Sequence, residues 1–313
     1  MSVRLSTAFT AAATAILLTG TGTGVATAKT TAGTAASRAC GVALGSVTAG
    51  GNHTATGVTA TSPPTVSPYS TYTDIYADGQ VRLSGTFEND PDITGTGGRF
   101  SGYVVIGSTL YGSGYLLKED GSVDRPTVGL GRVGGGWGDA TFFDSTTYAK
   151  DGDPEVYTSK YSLRSNGTLT RWDDRSGTVW GNKQTATGFA AVKTMALISQ
   201  TPTYDTFLAN TRGGALYTIR IPRTSPMKPI VKLVRAKTWQ GFESMTIDKC
   251  GIYGTLLLGI DKDTGAGYLY AVGHANGTAT VIKGLGKVPA IFTDPVYFRH
   301  VLRPGDNHML FGE

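Results

Sequence analysis

Residues 267–286 read GYLYAVGHANGTATVIKGLG. Two alternating apolar runs, Tyr268–Val272 and Thr278–Ile282, flank the pair Asn276-Gly277. Such alternation puts successive side chains on opposite faces, as in strands with one face buried. Asn-Gly supplies the positive φ of a tight reversal, so the stretch predicts a hairpin with a glycine-rich exit at Lys283–Gly286. A lone hairpin is marginal in water, and the fold therefore turns on whether the unit recurs.

It does recur. From Gly241 the chain runs GFESMTIDKCGIYGTLLLGIDKDTGAGYLYAV, and from Gly188 it runs GFAAVKTMALISQTPTYDTFLANTRGGALYTIRI, with the two Gly-Phe pairs 53 residues apart. WGDATFFDSTTYAKDGDPEVYTSKYSLRSNGTLTRW from Trp137, YGSGYLLKEDGSV from Tyr111 and TDIYADGQVRLSG from Thr73 repeat the strand–turn–strand unit. Hairpin markers at Ile75, Tyr115, Tyr161, Leu216 and Tyr268 are separated by 40, 46, 55 and 52 residues. A period near forty to fifty with about four strands per period is the signature of propeller blades, whose apolar faces are covered by stacking on their neighbours. The expectation is an all-β propeller of five blades. The hairpin Val42–Ala60 would complete the final blade beside Asn307–Glu313 and close the ring near the chain termini; counted as a blade of its own, it gives six. Thr61–Ser70, TSPPTVSPYS, reads as an extended connector, because proline cannot join a sheet interior.

Composition agrees with many short strands and tight turns: 44 glycines, 15 tyrosines and 16% charged residues. Met1–Arg4 is positive, Leu5–Leu18 is apolar and diluted by threonine, and Ala26-Thr27-Ala28 has the small-x-small form of a cleavage site. Residues 1–28 are thus expected to be a secretory signal peptide, 29–39 a flexible segment and 40–313 a single propeller domain. The apolar run is too short for stable membrane insertion, so the expected localisation is secreted and extracellular.

Removing Arg4 leaves 27 basic and 23 acidic residues, a balance too even to imply nucleic acid as a partner. The charges are unevenly placed. Arg212, Arg220, Arg223, Lys228, Lys232, Arg235 and Lys237 lie in a stretch, Thr206–Phe242, without an acidic residue, whereas Asp139–Glu155 holds five acids and one lysine. The basic strip suits solvated strand edges, or contact with an anionic polysaccharide. The two cysteines, Cys40 and Cys250, are expected to form a disulfide, since a secreted chain with an even count favours a bridge over a metal site.

The segments GYLYAV (267–272) and GLGRVGGGWGDATFF (129–143) resemble the repeat of the tachylectin-2-like β-propellers, in which Gly-Gly-Trp and an aromatic precede a Leu-Tyr-Ala strand. Looser echoes stand at TVWGNKQTATGFAAV, KTWQGFESM and KGLGKVPAIF, so the likeness extends over about residues 111–298. The repeats here are unequal in length, and Gly-Gly-Trp occurs in one of them. The resemblance implies a five-bladed ring with sugar sites between blades, selective for N-acetylated hexosamines.

Sugar binding needs aromatic faces and nearby polar groups that orient hydroxyls. Trp137, Phe142, Trp180, Trp239 and Phe242 are candidates for the first, and Asp139, Asn182 and Glu243 for the second. The same tryptophans, recurring along the repeats, also suit the packing of wedges between blades. The function expected is a non-enzymatic, lectin-like protein, multivalent for glycans or for cell-wall or extracellular polysaccharide. The alternatives are a propeller glycoside hydrolase or lyase, or an interaction scaffold. No nucleophile elbow, zinc motif or phosphate loop is present; no cofactor, metal site or catalytic residue is assigned. For the hydrolase, carboxylates such as Asp74, Asp120, Asp205 and Asp261 would have to meet at a central tunnel. Aromatic-lined clefts between blades would instead mark the lectin. The loops at Asp261 and Asp151 imitate calcium-loop beginnings but read as turns.

Overall fold

The computed structural model describes residues 39–91, 93, 95–150, 155–174, 180–302 and 309–313. The signal peptide, the segment up to Arg38 and the Asp151 loop lie outside these residues. The described chain is all-β. Its strands are β1 Gly41–Val47, β2 His53–Thr59, β3 Thr65–Tyr72, β4 Val81–Ser84, β5 Phe87–Asp90, β6 Gly98–Ile106, β7 Thr109–Leu117 and β8 Gly129–Gly135. They continue with β9 Ala140–Ala149, β10 Val156–Arg164, β11 Leu169–Asp174, β12 Trp180–Ala186, β13 Val192–Gln200, β14 Tyr204–Thr211, β15 Leu216–Pro222 and β16 Ile230–Arg235. The last are β17 Ser244–Cys250, β18 Gly254–Asp261, β19 Ala266–Val272, β20 Ile282–Ile291 and β21 Val296–Leu302. Among the described residues, no helix is long and apolar enough to cross a membrane.

β9–β12, β13–β16 and β17–β20 form three four-stranded antiparallel meanders in chain order. The remaining strands run in the order β3-β2-β1-β21-β5-β6-β7-β8, with β4 also paired to β6. Within that sheet β21 is antiparallel to β1 and parallel to β5, so the strand latest in the chain joins two groups made from its beginning. Strands of different groups also pack on one another: β4 on β9, β9 on β13, β13 on β17, β17 on β1 and β21, and β21 on β4.

Burial follows this order. Leu256, Leu257 and Leu258 on β18 are all buried, because a middle strand is covered on both faces and reads as a continuous apolar run. β16 and β20, at the ends of their sheets, are mostly exposed. The largest core cluster joins Tyr161, Phe207, Leu216, Trp239 and Leu257 from three successive sheets, so the sheets bury their faces against each other.

Four local expectations change. β19 pairs with β20, and Gly273–Val281 is a long irregular link; Thr278–Val281 is not a strand, and Lys283–Gly286 lies inside one. The Asn276 amide binds the Thr280 hydroxyl at 2.9 Å, a local contact that competes with sheet pairing. Tyr161 lies on the second strand of its sheet, while Tyr115, Leu216 and Tyr268 lie on third strands, so that marker is one strand early; Ile75 is in a loop. Thr65–Tyr72 is strand β3 rather than a connector, because it is an outer strand and Pro68 sits at a register shift, where a missing N–H is tolerated. The Val42–Ala60 hairpin pairs with β21 and not with residues 309–313. Those residues instead cross to β13, where Phe311 bridges Ser199.

Cys40 and Cys250 form a disulfide across 210 residues of sequence, tying the start of β1 to the end of β17.

Candidate functional site

The junctions between packed groups of strands are filled by different chemistry. Where β1–β2 and β21 meet β5–β7, His53 is enclosed by Tyr72, Phe87, Phe100, Tyr115 and Phe298. The Tyr115 hydroxyl lies 2.7 Å from His53 Nδ1. Between β9–β12 and β13–β16, fully buried Asp205 accepts hydrogen bonds from Tyr161 (2.7 Å) and Thr146 (2.9 Å) and pairs with Arg223 at 2.9 Å. Burial raises the Asp205 carboxyl pKa, with Arg223 opposing. Between β13–β16 and β17–β20, residues 309–313 lie as an inserted segment. Met309 and Leu310 are buried, Arg220 pairs with Glu313 at 3.1 Å, and the Ala275 amide donates to Gly312. Between β17–β20 and β1–β3 stand the disulfide and the Arg299–Asp248 pair at 2.9 Å.

A further junction, between β5–β7 and β9–β11, holds a cleft of about 460 Å³. Ser101, Gly102 and Tyr103 on β6, with Gly112, Ser113 and Gly114 on β7, form one wall. Ser145, Thr147, Thr158, Lys160 and Asp174 form the other, and Glu88 lies on β5. Glycine inside a strand removes the side chain that would fill such a space. A Cβ built on Gly112 would have only ordinary contacts, at 3.8 Å or more, so the wall there is open.

Tyr103 is the aromatic group of the cleft. It is half-buried and held edge-on by Phe143 and Trp180, whose ring centroids lie 5.7 and 5.6 Å away. The Trp180 indole N–H donates to its hydroxyl. Burial raises the hydroxyl pKa, and the negative charges of Asp174 and Glu88 add to this. Lys160 Nζ stands 4.7 Å from the ring centroid and donates to Ser145 at 2.7 Å. The cleft thus joins one aromatic ring, two carboxylates, one ammonium and several hydroxyls.

A second cavity, of about 110 Å³, is lined from β4, β9, β13, β17 and β21. Two carboxylates reach it. Asp144 accepts from the amides of Thr86 (2.9 Å) and Ser145 (2.8 Å), and burial pushes its carboxyl up. Glu243 pairs with Lys193 and accepts the Lys262 amide at 2.9 Å. Among the described residues, no group of three or more His, Cys, Asp or Glu side chains is placed to hold a metal.

The residues singled out from sequence are distributed over several places. Trp137 and Trp180 meet, with centroids 6.2 Å apart, in a cluster with Phe143 and Trp172; Trp137 is buried. Trp239 and Phe242 meet at 5.7 Å, both buried against Tyr270. Phe142 is half-buried against Phe207, and Glu243 faces the second cavity. Asp139 is exposed and pairs with Arg164 at 2.5 Å. Asn182, at φ 45°, donates to Asp173 at 2.6 Å. The carboxylates named for a hydrolase do not gather. Asp120 is exposed and accepts from Ser122, Asp205 is enclosed as above, and Asp261 accepts the Thr264 amide in the β18–β19 turn. Tyr103, Glu88, Lys160 and Asp174 were not singled out from sequence; the signal available was the glycine-interrupted strand pair SGYVVIGSTLYGSGY.

No family model and no curated protein matches the chain. The solved structures similar to it include the SapL1 lectin in complex with alpha methyl fucoside, at 8% identity and a TM-score of 0.38, covering 80% of this chain and 98% of that one. They also include the WD40 domain of SCAP from fission yeast, at 8% identity and a TM-score of 0.35, covering 78% and 69%.

Proposed function

We propose that the protein is a secreted, carbohydrate-binding β-propeller of five four-stranded blades, with residues 1–28 removed as a signal peptide and 40–313 forming the domain. In this reading β21, β4 with β5, β9, β13 and β17 are the five inner strands, and β21 closes the ring by completing the sheet of β1–β3. The cyclic packing of those strands supports it. The cleft between β5–β7 and β9–β11 is the binding site, and the observation that carries this is the placement of Tyr103 beside the open wall at Gly112, with Glu88, Asp174 and Lys160 around it. The ring offers an apolar face to a sugar, while the carboxylates accept from its hydroxyls. Two carboxylates against one ammonium favour neutral or N-acetylated hexoses over acidic ones. Trp180 and Phe143 act by positioning Tyr103. Because the five junctions are filled by different groups, this reading has one such cleft rather than equal copies around the ring.

A glycan-array screen with the secreted form, followed by calorimetry on any hit, tests it. Tyr103→Ala and Asp174→Asn are each expected to weaken binding about tenfold or more, the loss of one stacking or hydrogen-bonding group. Silence across all neutral glycans, or hits unaffected by both variants, would leave the interaction-scaffold reading in its place.

A further inference from the structure

The strands at the outer ends of the sheets are β3, β8, β12, β16 and β20. Their sequences are TVSPYSTY, GLGRVGG, WGNKQTA, IVKLVR and IKGLGKVPAI. None contains Asp or Glu, although inner and middle strands carry Glu88, Asp144, Asp173, Asp174, Asp205 and Asp248. Four of the five carry exposed cations: Arg132, Lys183, Lys232, Lys283 and Lys287. Charged residues of either sign would guard an exposed edge against pairing with another chain. A single sign on successive edges is a further property, and it makes a surface of positive potential.

The edges also adjoin. Arg235 on β16 donates to the Thr280 carbonyl at 2.7 Å, in the link leading to β20. A Cβ on Gly286 of β20 would sit 3.4 Å from Pro64, just ahead of β3. Lys232, Lys283 and Lys287 therefore lie on neighbouring edges. Ile230, Val231, Val281 and Ile291 are exposed between and beside them. Cations on neighbouring edges with exposed apolar side chains beside them complement a polymer that alternates carboxylates with the apolar faces of sugar rings.

We infer that this outer rim, centred on β16 and β20, is a binding surface for a linear anionic polysaccharide of the polyuronate class. It is separate from the Tyr103 cleft, whose own carboxylates disfavour acidic sugars, and it stands whether or not that cleft binds a glycan.

The test is retention of the secreted form on immobilised polygalacturonate against neutral dextran. Binding to polygalacturonate is expected to fall at least tenfold as salt rises from about 0.05 M to about 0.5 M, where the screening length drops to roughly 4 Å. Replacing Lys232, Lys283 and Lys287 together by Glu should weaken retention at least tenfold. The Lys→Arg counterparts should keep it, and so should Tyr103→Ala. Equal retention on dextran, indifference to salt, or an undiminished Glu triple variant would overturn the inference. So would tighter binding to single-stranded DNA than to polygalacturonate, or loss of retention in the Arg variants. Loss of neutral-glycan binding in Tyr103→Ala with polygalacturonate retention unchanged would separate the rim from the cleft.

Discussion

Gly45 shows how a single atom group sets a packing distance. It pairs with Phe298 across β1 and β21, and a Cβ added to Gly45 would lie 2.1 Å from the Phe298 ring. Gly102 stands in the same relation to Phe87, at 2.5 Å. An aromatic ring lying over a strand glycine leaves no room for a methyl, so the high glycine content serves close approach within sheets as well as turns. Gly45→Ala is expected to destabilise by about 1–3 kcal/mol, the usual cost of overpacking a core. Denaturant unfolding with an unchanged m-value and a lowered midpoint would agree; an unchanged midpoint would show that Phe298 moves aside freely.

Among the elements, β1 has the most consequential attachments. It pairs with β2 and β21, packs on β17, and is preceded directly by Cys40 in the disulfide to Cys250. The loop so closed spans 210 residues, and chain-entropy reasoning gives roughly 5 kcal/mol for a closure of that length. Cys40→Ser with Cys250→Ser is expected to lower the thermal midpoint by roughly 10 °C. Calorimetry under oxidising conditions measures this, and a shift of under two degrees, within error, would mean that strand pairing alone holds β1. The elements also show where sequence was legible. Asn166-Gly167 does turn β10 into β11, with Gly167 at φ 80°, whereas Asn276-Gly277 does not turn β19 into β20. Both carry the same dipeptide, and the difference lies in their surroundings. The Arg235 side chain reaches the carbonyl of Thr280, and residues 309–313 hold Ala275, contacts that no local signal announces.

For the whole molecule, the buried histidines make acid stability a test of packing. His53 is buried among aromatic rings, and His300 stacks on Phe100 with centroids 5.1 Å apart. Burial pushes the His53 pKa down to about 3, with His300 adding to the shift, and that of His300 down to about 4, opposed by Asp248. Above the ordinary value near 6.5 both states are neutral and the pair contributes no pH dependence. Below it the unfolded chain takes up protons that the folded chain refuses, so stability falls until the folded pKa values are reached. The loss is on the order of 2–3 kcal/mol per histidine by about pH 4. Asp144 and Asp205, whose pKa values are raised by burial, act with the opposite sign as pH falls toward the usual carboxylate range. His300→Phe is therefore expected to flatten the decline of the thermal midpoint between about pH 7 and pH 4.5, reading out its own contribution. A decline as steep as in the parent protein would rule out His300 as a source.

An all-β chain, a strand unit recurring about every fifty residues and the Cys40–Cys250 pair are legible without the fold, and β9–β12, β13–β16 and β17–β20 are such units with four strands each. Alternation, turn residues and cysteine count are local or compositional, and they survive without knowledge of what packs where. The place of β21 between β1 and β5, the filling of one junction by residues 309–313 and the exposure of Tyr103 to an open cleft in another are legible only in the folded chain. Each depends on contacts between residues far apart in the chain. Similar repeats can meet with a histidine cage, an ion pair, an inserted segment or a cavity between them, and the strand pattern is nearly the same in every case.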